Sequence, residues 1–220
     1  MKALLVSILL CRMSPIVYSK QEVRDYEELI SQLKNNNILH YSLPYPKSRF
    51  LNYLALTGLY VFHGSNHKKI DRFEPRQQTL FNNEVTKAVF ASADPNWSIF
   101  YAVLDRTKIV GSFRNGCVSS NGKRYHYYSL NASTQKNNPW TDGMLYILPK
   151  HSFERADQGK TYFDEWISHE PVAPIAKLNV SIEDFYFMDK VATHKDNESL
   201  VKTWLLYKAR LLLSGLGLTK

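Results

Sequence analysis

Glu165 stands where a charge is expensive. It lies in Asp164-Glu165-Trp166-Ile167-Ser168-His169-Glu170-Pro171-Val172, at the mouth of a bulky, apolar run, and burying an unpaired carboxylate there is costly. Such a group caps a neighbour, lies exposed at an edge as most glutamates do, or does chemistry. Glu170, five residues on, is the runner-up; on a regular strand it falls on the opposite face. A second constellation is Tyr60-Val61-Phe62-His63-Gly64-Ser65-Asn66. The apolar run stops at a His-Gly-Ser turn, which places His63 at a strand end with Gly64 free to approach a ligand and Ser65 as a hydroxyl beside it. The same residues also read as an ordinary turn with a solvated histidine. Arg76 and the Lys68-Lys69 pair either meet phosphate groups or form a solvated basic face.

Several chemistries are excluded. None of the nine glycines falls into GxGxxG or GxxxxGK[ST], and no GxSxG surrounds a serine. The two cysteines, Cys11 and Cys117, form no CxxC pair, and His63 and His67 have Gly64 between them and no following glutamate, so no metal is expected. The formal net charge of +8 favours polyanionic partners.

The elements that must hold these residues follow from pattern. At 220 residues with 44% hydrophobic and 22% charged residues, the chain forms one ordinary globular domain. Residues 1–19 read as a leader, either a signal peptide or an extension before a start at Met13, and are expected to lie outside the folded domain; secretion follows if the leader is a signal peptide, a cytoplasmic location otherwise. The apolar run is too short to span a bilayer, so no stable membrane insertion of the mature chain is expected. Ser19 and Glu22 form a capping box for a helix carrying Val23, Tyr26, Leu29, Ile30 and Leu33, which Asn35-Asn36-Asn37 ends. Residues 38–58 read as loop with one short element near Phe50–Leu56. Lys87–Ser92 is a strand, and Asp94 caps a helix over 97–104 with Pro95 at its first position. Asn115-Gly116 and Asn121-Gly122 predict hairpin turns, with strands at 110–113, 125–130, 143–149, 165–168 and 175–180. Asn197 caps a last helix whose Leu200, Val201, Trp204, Leu205, Leu211 and Leu212 face inward, stopped at Gly215.

Taken in order, these pieces resemble the ADP-ribosyltransferase superfamily, on the branch of poly(ADP-ribose) polymerases and diphtheria-like toxins. His63-Gly64-Ser65 matches its opening His-Gly-Ser. Phe90-Ala91-Ser92 followed by Ser98 and Tyr101 matches its aromatic strand and helix, with Phe90 where a tyrosine often stands. Glu165-Trp166-Ile167 matches its catalytic glutamate. The resemblance spans about residues 59–180 and implies an α+β fold of two small, mostly antiparallel sheets forming an NAD cleft, with flanking helices over residues 20–220. It implies that NAD is the substrate, that His63, Gly64, Ser65, Phe90, Ser98, Tyr101 and Arg76 bind it, and that Glu165 is catalytic. ADP-ribose would pass to a protein or nucleic-acid acceptor. NAD glycohydrolase, an NAD-dependent RNA 2′-phosphotransferase with Lys123-Arg124 at a phosphate, and a non-catalytic nucleotide or nucleic-acid binding module share most of the same site.

Overall fold

The computed structural model describes residues 2–34 and 36–215. Its helices are α1 (Lys2–Leu9), α2 (Lys20–Ser31), α3 (Lys47–Leu56), α4 (Pro95–Val103), α5 (Ala132–Lys136) and α6 (Leu200–Gly215). Its strands are β1 (Asn37–Ile38), β2 (Tyr60–Ser65), β3 (Arg76–Thr79), β4 (Val85–Ala91), β5 (Phe113–Ser120) and β6 (Lys123–Asn131). The series continues with β7 (Gly143–Pro149), β8 (Glu154–Arg155), β9 (Thr161–Phe163), β10 (Trp166–Ser168), β11 (Ala176–Val180) and β12 (Val191–His194). The fold is α+β, built on three four-stranded sheets, β1-β11-β7-β2, β3-β4-β10-β8 and β12-β6-β5-β9, where two were expected. All neighbours are antiparallel except β1 with β11 and β12 with β6. The third sheet escapes sequence reading because β9 and β12 are short and without alternation, and β5 runs through Asn115-Gly116. That dipeptide is not a turn: a Cβ on Gly116 would stand 2.6 Å from the rings of Phe163 and Tyr127, which close over the strand there. Asn121-Gly122 is the turn, both residues at positive φ (50° and 71°) between the Ser120–Lys123 pair, as a two-residue hairpin requires.

Helix α4 is the centre of the molecule. Asp94 caps it by accepting from Trp97 N at 2.9 Å, Pro95 opens it, and of its nine residues only Tyr101 is not buried. Apolar but for Asn96 and Ser98, it belongs in an interior, where Phe100 packs against Tyr128 and Phe185. It lies so close on the first sheet that a Cβ at Gly64 would come within 1.7 Å of Ser98 O, and one at Gly143 within 1.9 Å of Ala102 O. Both glycines serve this approach of helix to strand, not a turn: β2 continues through His63, Gly64 and Ser65. An antiparallel bridge between Phe62 and Ser92 then ties β2 to the end of β4, joining the first two sheets at one corner.

The capping box of α2 is present, with the buried Glu22 also bound by Arg49 at 2.7 Å and Tyr26 Oη at 2.8 Å. That helix ends at Ser31, and Asn35, expected in its stop, lies outside the described residues. The expected short element near Phe50 is helix α3. Against the expected separate leader, Leu10 is 2% exposed and Cys11 exchanges two backbone hydrogen bonds with His126, at 2.9 and 2.7 Å. Helix α6 starts later than expected: Ser199 Oγ, not Asn197, accepts from its third N–H. It docks through Thr203 and Tyr207, while Leu200, Val201, Leu205 and Leu212 are exposed. Polar anchors explain the difference, since Arg210 pairs with Glu198 and Tyr207 Oη donates to Lys190 O at 2.6 Å. Gly215, the expected stop, is the last described residue. Among the described residues no helix is long and apolar enough to cross a membrane.

Candidate active site

The corner where β2, β4 and α4 meet opens into a cleft of about 180 Å³. His63, Gly64, Phe90, Ser98, Tyr101 and Glu165, from four separate stretches of chain, line it. The His63 ring lies 2.7 Å from Phe90 O through Nδ1, and a carbonyl only accepts, so Nδ1 carries the proton and Nε2 is the nitrogen left to receive one. Burial pushes its pKa down, against the pull of the Phe90 carbonyl and with help from Arg106 and Arg76, so the ring stays neutral. Ser98 Oγ donates to Phe62 O at 3.0 Å, which fixes the hydroxyl and leaves its oxygen as an acceptor. Tyr101, the one residue of α4 that is only partly buried, presents its ring beside Trp97. Burial raises its hydroxyl above the usual range.

Glu165 immediately precedes β10. Its Oε2 accepts from Phe81 N at 3.1 Å, and Oε1 has no protein donor among the described residues. Burial raises its pKa, partly offset by the Phe81 N–H. It is a half-buried carboxylate without an ion-pair partner among the described residues, aimed into a cleft with a neutral histidine and the aromatic residues Phe62, Phe90, Trp97 and Tyr101. Such a group stabilises positive charge that develops opposite it.

Three predicted residues do not line the cleft. Ser65 Oγ instead accepts from His67 N at 3.1 Å; Arg76 is exposed on β3; and Glu170 is exposed beyond the end of β10. Lys68 and Lys69 are also exposed, away from the cleft. Sequence reasoning missed Gln78 and Thr79, which the β3–β4 hairpin brings over the cleft, and Trp97 and Arg106. The Arg106 guanidinium lies 5.6 Å from the Tyr101 ring centre, and its position just past the end of a cleft helix was the available signal. Arg106 takes the place given to Arg76 as the cation at the cleft.

Beneath the cleft lies a buried ion network. Asp164 accepts from Ser92 Oγ at 3.0 Å and Trp166 Nε1 at 2.9 Å, with Arg124 Nε at 3.5 Å. Asp94 Oδ2 stands 3.1 Å from His126 Nε2 and 4.0 Å from Arg124 Nε. Burial raises the Asp94 pKa, but His126, Arg124 and the Trp97 N–H outweigh it and hold it at about 2. Asp94, Cys117 and His126 bring ligand-type atoms within 4.8 Å of one another, yet the guanidinium beside Asp94 already supplies positive charge there. The network ties the start of α4 to the residue before Glu165, so it fixes Ser98 and Tyr101 relative to the carboxylate. It also engages Arg124, whose side chain is 36% exposed, with two carboxylates, in competition with the phosphate role open to Lys123-Arg124 in the sequence.

No protein-family model, curated protein sequence or solved structure matches the chain.

Proposed function

We propose that the chain breaks the nicotinamide–ribose bond of NAD and transfers ADP-ribose to a macromolecular acceptor. One observation carries the reading: the motif residues His63, Gly64, Phe90, Ser98, Tyr101 and Glu165 converge on one cleft although up to 102 positions separate them. In this reading the nicotinamide ring stacks on Tyr101, its carboxamide bonds to the Gly64 backbone and Ser98 Oγ, and a ribose hydroxyl donates to His63 Nε2. Arg106 meets the pyrophosphate. Glu165 binds the nicotinamide ribose and stabilises the oxocarbenium-like state as the bond breaks with its electron pair leaving on nicotinamide. The 2′-phosphotransferase alternative loses support with Arg124 committed to Asp94 and Asp164.

The test is single-turnover release of nicotinamide from labelled NAD, with calorimetry on the same samples. His63→Ala should weaken NAD binding by about 1–3 kcal/mol, the usual cost of an unsatisfied polar partner. Equal NAD affinity in wild type and His63→Ala removes the cleft from consideration; binding without any nicotinamide release leaves a non-catalytic module.

A further inference from the structure

Glu165 opens on two spaces. Besides the cleft, its side chain lines a second cavity of about 300 Å³ whose other walls include Phe81, Asn82, Asp157, Gln158 and Phe163. Glu165 is the one residue the two share. We propose that this second cavity receives the acceptor, and that the acceptor is an amine-bearing base of a single-stranded nucleic acid. The proposal rests on the reading of the first cleft as an NAD site.

Three features select that chemistry. The first is an aromatic wall: Phe81 is 44% exposed and stacked on Phe163 with ring centres 3.3 Å apart and planes 19° from parallel. An exposed ring backed by another offers its outer face to a planar base without regard to sequence. The second is a pair of carboxylates, each half satisfied. Glu165 Oε2 takes the Phe81 N–H and Asp157 Oδ1 takes the Gly159 N–H, while Glu165 Oε1 and Asp157 Oδ2 have no protein donor among the described residues. Ionised carboxylates only accept, so they call for N–H donors. The exocyclic amines of adenine, cytosine and guanine supply two N–H groups on one nucleophilic nitrogen; thymine and uracil have no exocyclic amine, and their single ring N3–H is flanked by carbonyls that face a carboxylate unfavourably. The third is the rim. Arg155 and Lys160 flank the 156–158 wall, and Lys123 lies on the neighbouring hairpin, where Ser120 pairs with both Lys123 and Thr161. Phosphates are drawn to these three cations, which a nucleic acid can use and an arginine of a protein acceptor, though it would suit the carboxylates equally well, cannot.

The transfer balances without any further reactant. The lone pair of the base amine forms the bond to C1′ of the ribose as the C1′–nicotinamide bond breaks, its pair leaving with neutral nicotinamide. The amine proton passes to the Glu165 carboxylate and from there to water. Glu165, placed between both spaces, first stabilises the cationic sugar and then takes the proton.

The experiment incubates the full chain with NAD labelled in its adenylate phosphate and measures, in the same tubes, nicotinamide released and label transferred. Acceptors are single-stranded DNA and RNA homopolymers of each base and an arginine-rich peptide. Label is expected on adenine, cytosine or guanine strands and not on thymine or uracil strands, the DNA and RNA arms showing which sugar is accepted. In Phe81→Ala and in Asp157→Asn, the ratio of labelled strand to nicotinamide released should fall about tenfold. Nicotinamide release with label only on the peptide, on thymine or uracil strands, or in free ADP-ribose overturns the acceptor proposal and leaves the NAD reading standing. So does an unchanged ratio in both variants. No nicotinamide release under any condition removes the NAD reading and the proposal with it.

Discussion

Asp164 and Glu165 are adjacent carboxylates treated in opposite ways by the fold. Asp164 is 2% exposed and meets a serine hydroxyl, an indole N–H and a guanidinium; Glu165 receives one backbone N–H and no cation. Burial disfavours ionised Asp94 in the same network but its pairing with His126 and Arg124 outweighs that, whereas at Glu165 burial is offset only in part by one backbone N–H. The satisfied pair builds the wall and the unsatisfied one faces the cleft. Strain of that kind is tolerated where a site uses it.

The largest effect expected from this contrast lies in the wall. Asp94→Ala removes the cap of α4 and the buried carboxylate that His126 and Arg124 face, so denaturant unfolding should show a loss of about 3–5 kcal/mol. A loss below about 1 kcal/mol would mean that the network is not what compensates these charges. The next effect lies in the cleft. Glu165→Gln should slow nicotinamide release by about 10²–10³-fold, the usual loss when one transition-state electrostatic partner is removed, with NAD affinity nearly intact because that charge matters chiefly as the bond breaks. Glu170→Gln, exposed past the strand end, should stay near the wild-type rate. If Glu170→Gln is the slow variant, the two carboxylates have exchanged roles.

Much of this arrangement is legible in the sequence, for identifiable reasons. Asp94-Pro95 and Ser19 with Glu22 are local capping signals, written within four residues, and both caps form as read. Tyr60–Phe62, Lys87–Phe90 and Gly143–Pro149 are apolar enough to announce themselves as strands. What was illegible is non-local. Gly64 reads as a turn residue, yet its lack of a Cβ is explained by Ser98, 34 positions away. Gly116 likewise answers to the rings of Tyr127 and Phe163. Arg106, Gln78 and Thr79 reach the cleft from a helix exit and an exposed hairpin with no pattern of their own. The leucines of α6 mislead because its docking is set by Thr203, Tyr207 and the Glu198–Arg210 pair.

A smaller effect tests the leader. Leu10 contributes about 1.5–3 kcal/mol if its burial is like that of other core leucines, and the Cys11–His126 bridge abuts the same ion network. Deleting residues 1–11 should therefore lower the melting temperature by about 4–10 °C. A change within 2 °C would make the segment dispensable and restore the separate leader.

The smallest effect is the most diagnostic, because the two carboxylates should shift stability in opposite directions. The folded-state pKa of Glu165 is raised, so the folded chain holds that proton more tightly than the unfolded one; stability falls as pH rises from the unfolded value, and above the folded pKa the cost is complete. Glu165→Gln keeps an acceptor for the Phe81 N–H and removes the charge, so at pH 7 it should melt about 1–3 °C higher than wild type, the gain vanishing below about pH 4 where both states are protonated. Asp94 runs the other way. Its folded-state pKa is held at about 2, so its stabilisation is full above the unfolded value near 4 and is lost as pH falls through about 2. Asp94→Asn should melt below wild type at pH 7, the deficit closing only across that acid window. Melting curves of both variants from about pH 2 to 8 decide the matter. If neutralising Glu165 destabilises the fold as neutralising Asp94 does, Glu165 is one more structural carboxylate and the contrast on which the proposed active site rests is gone.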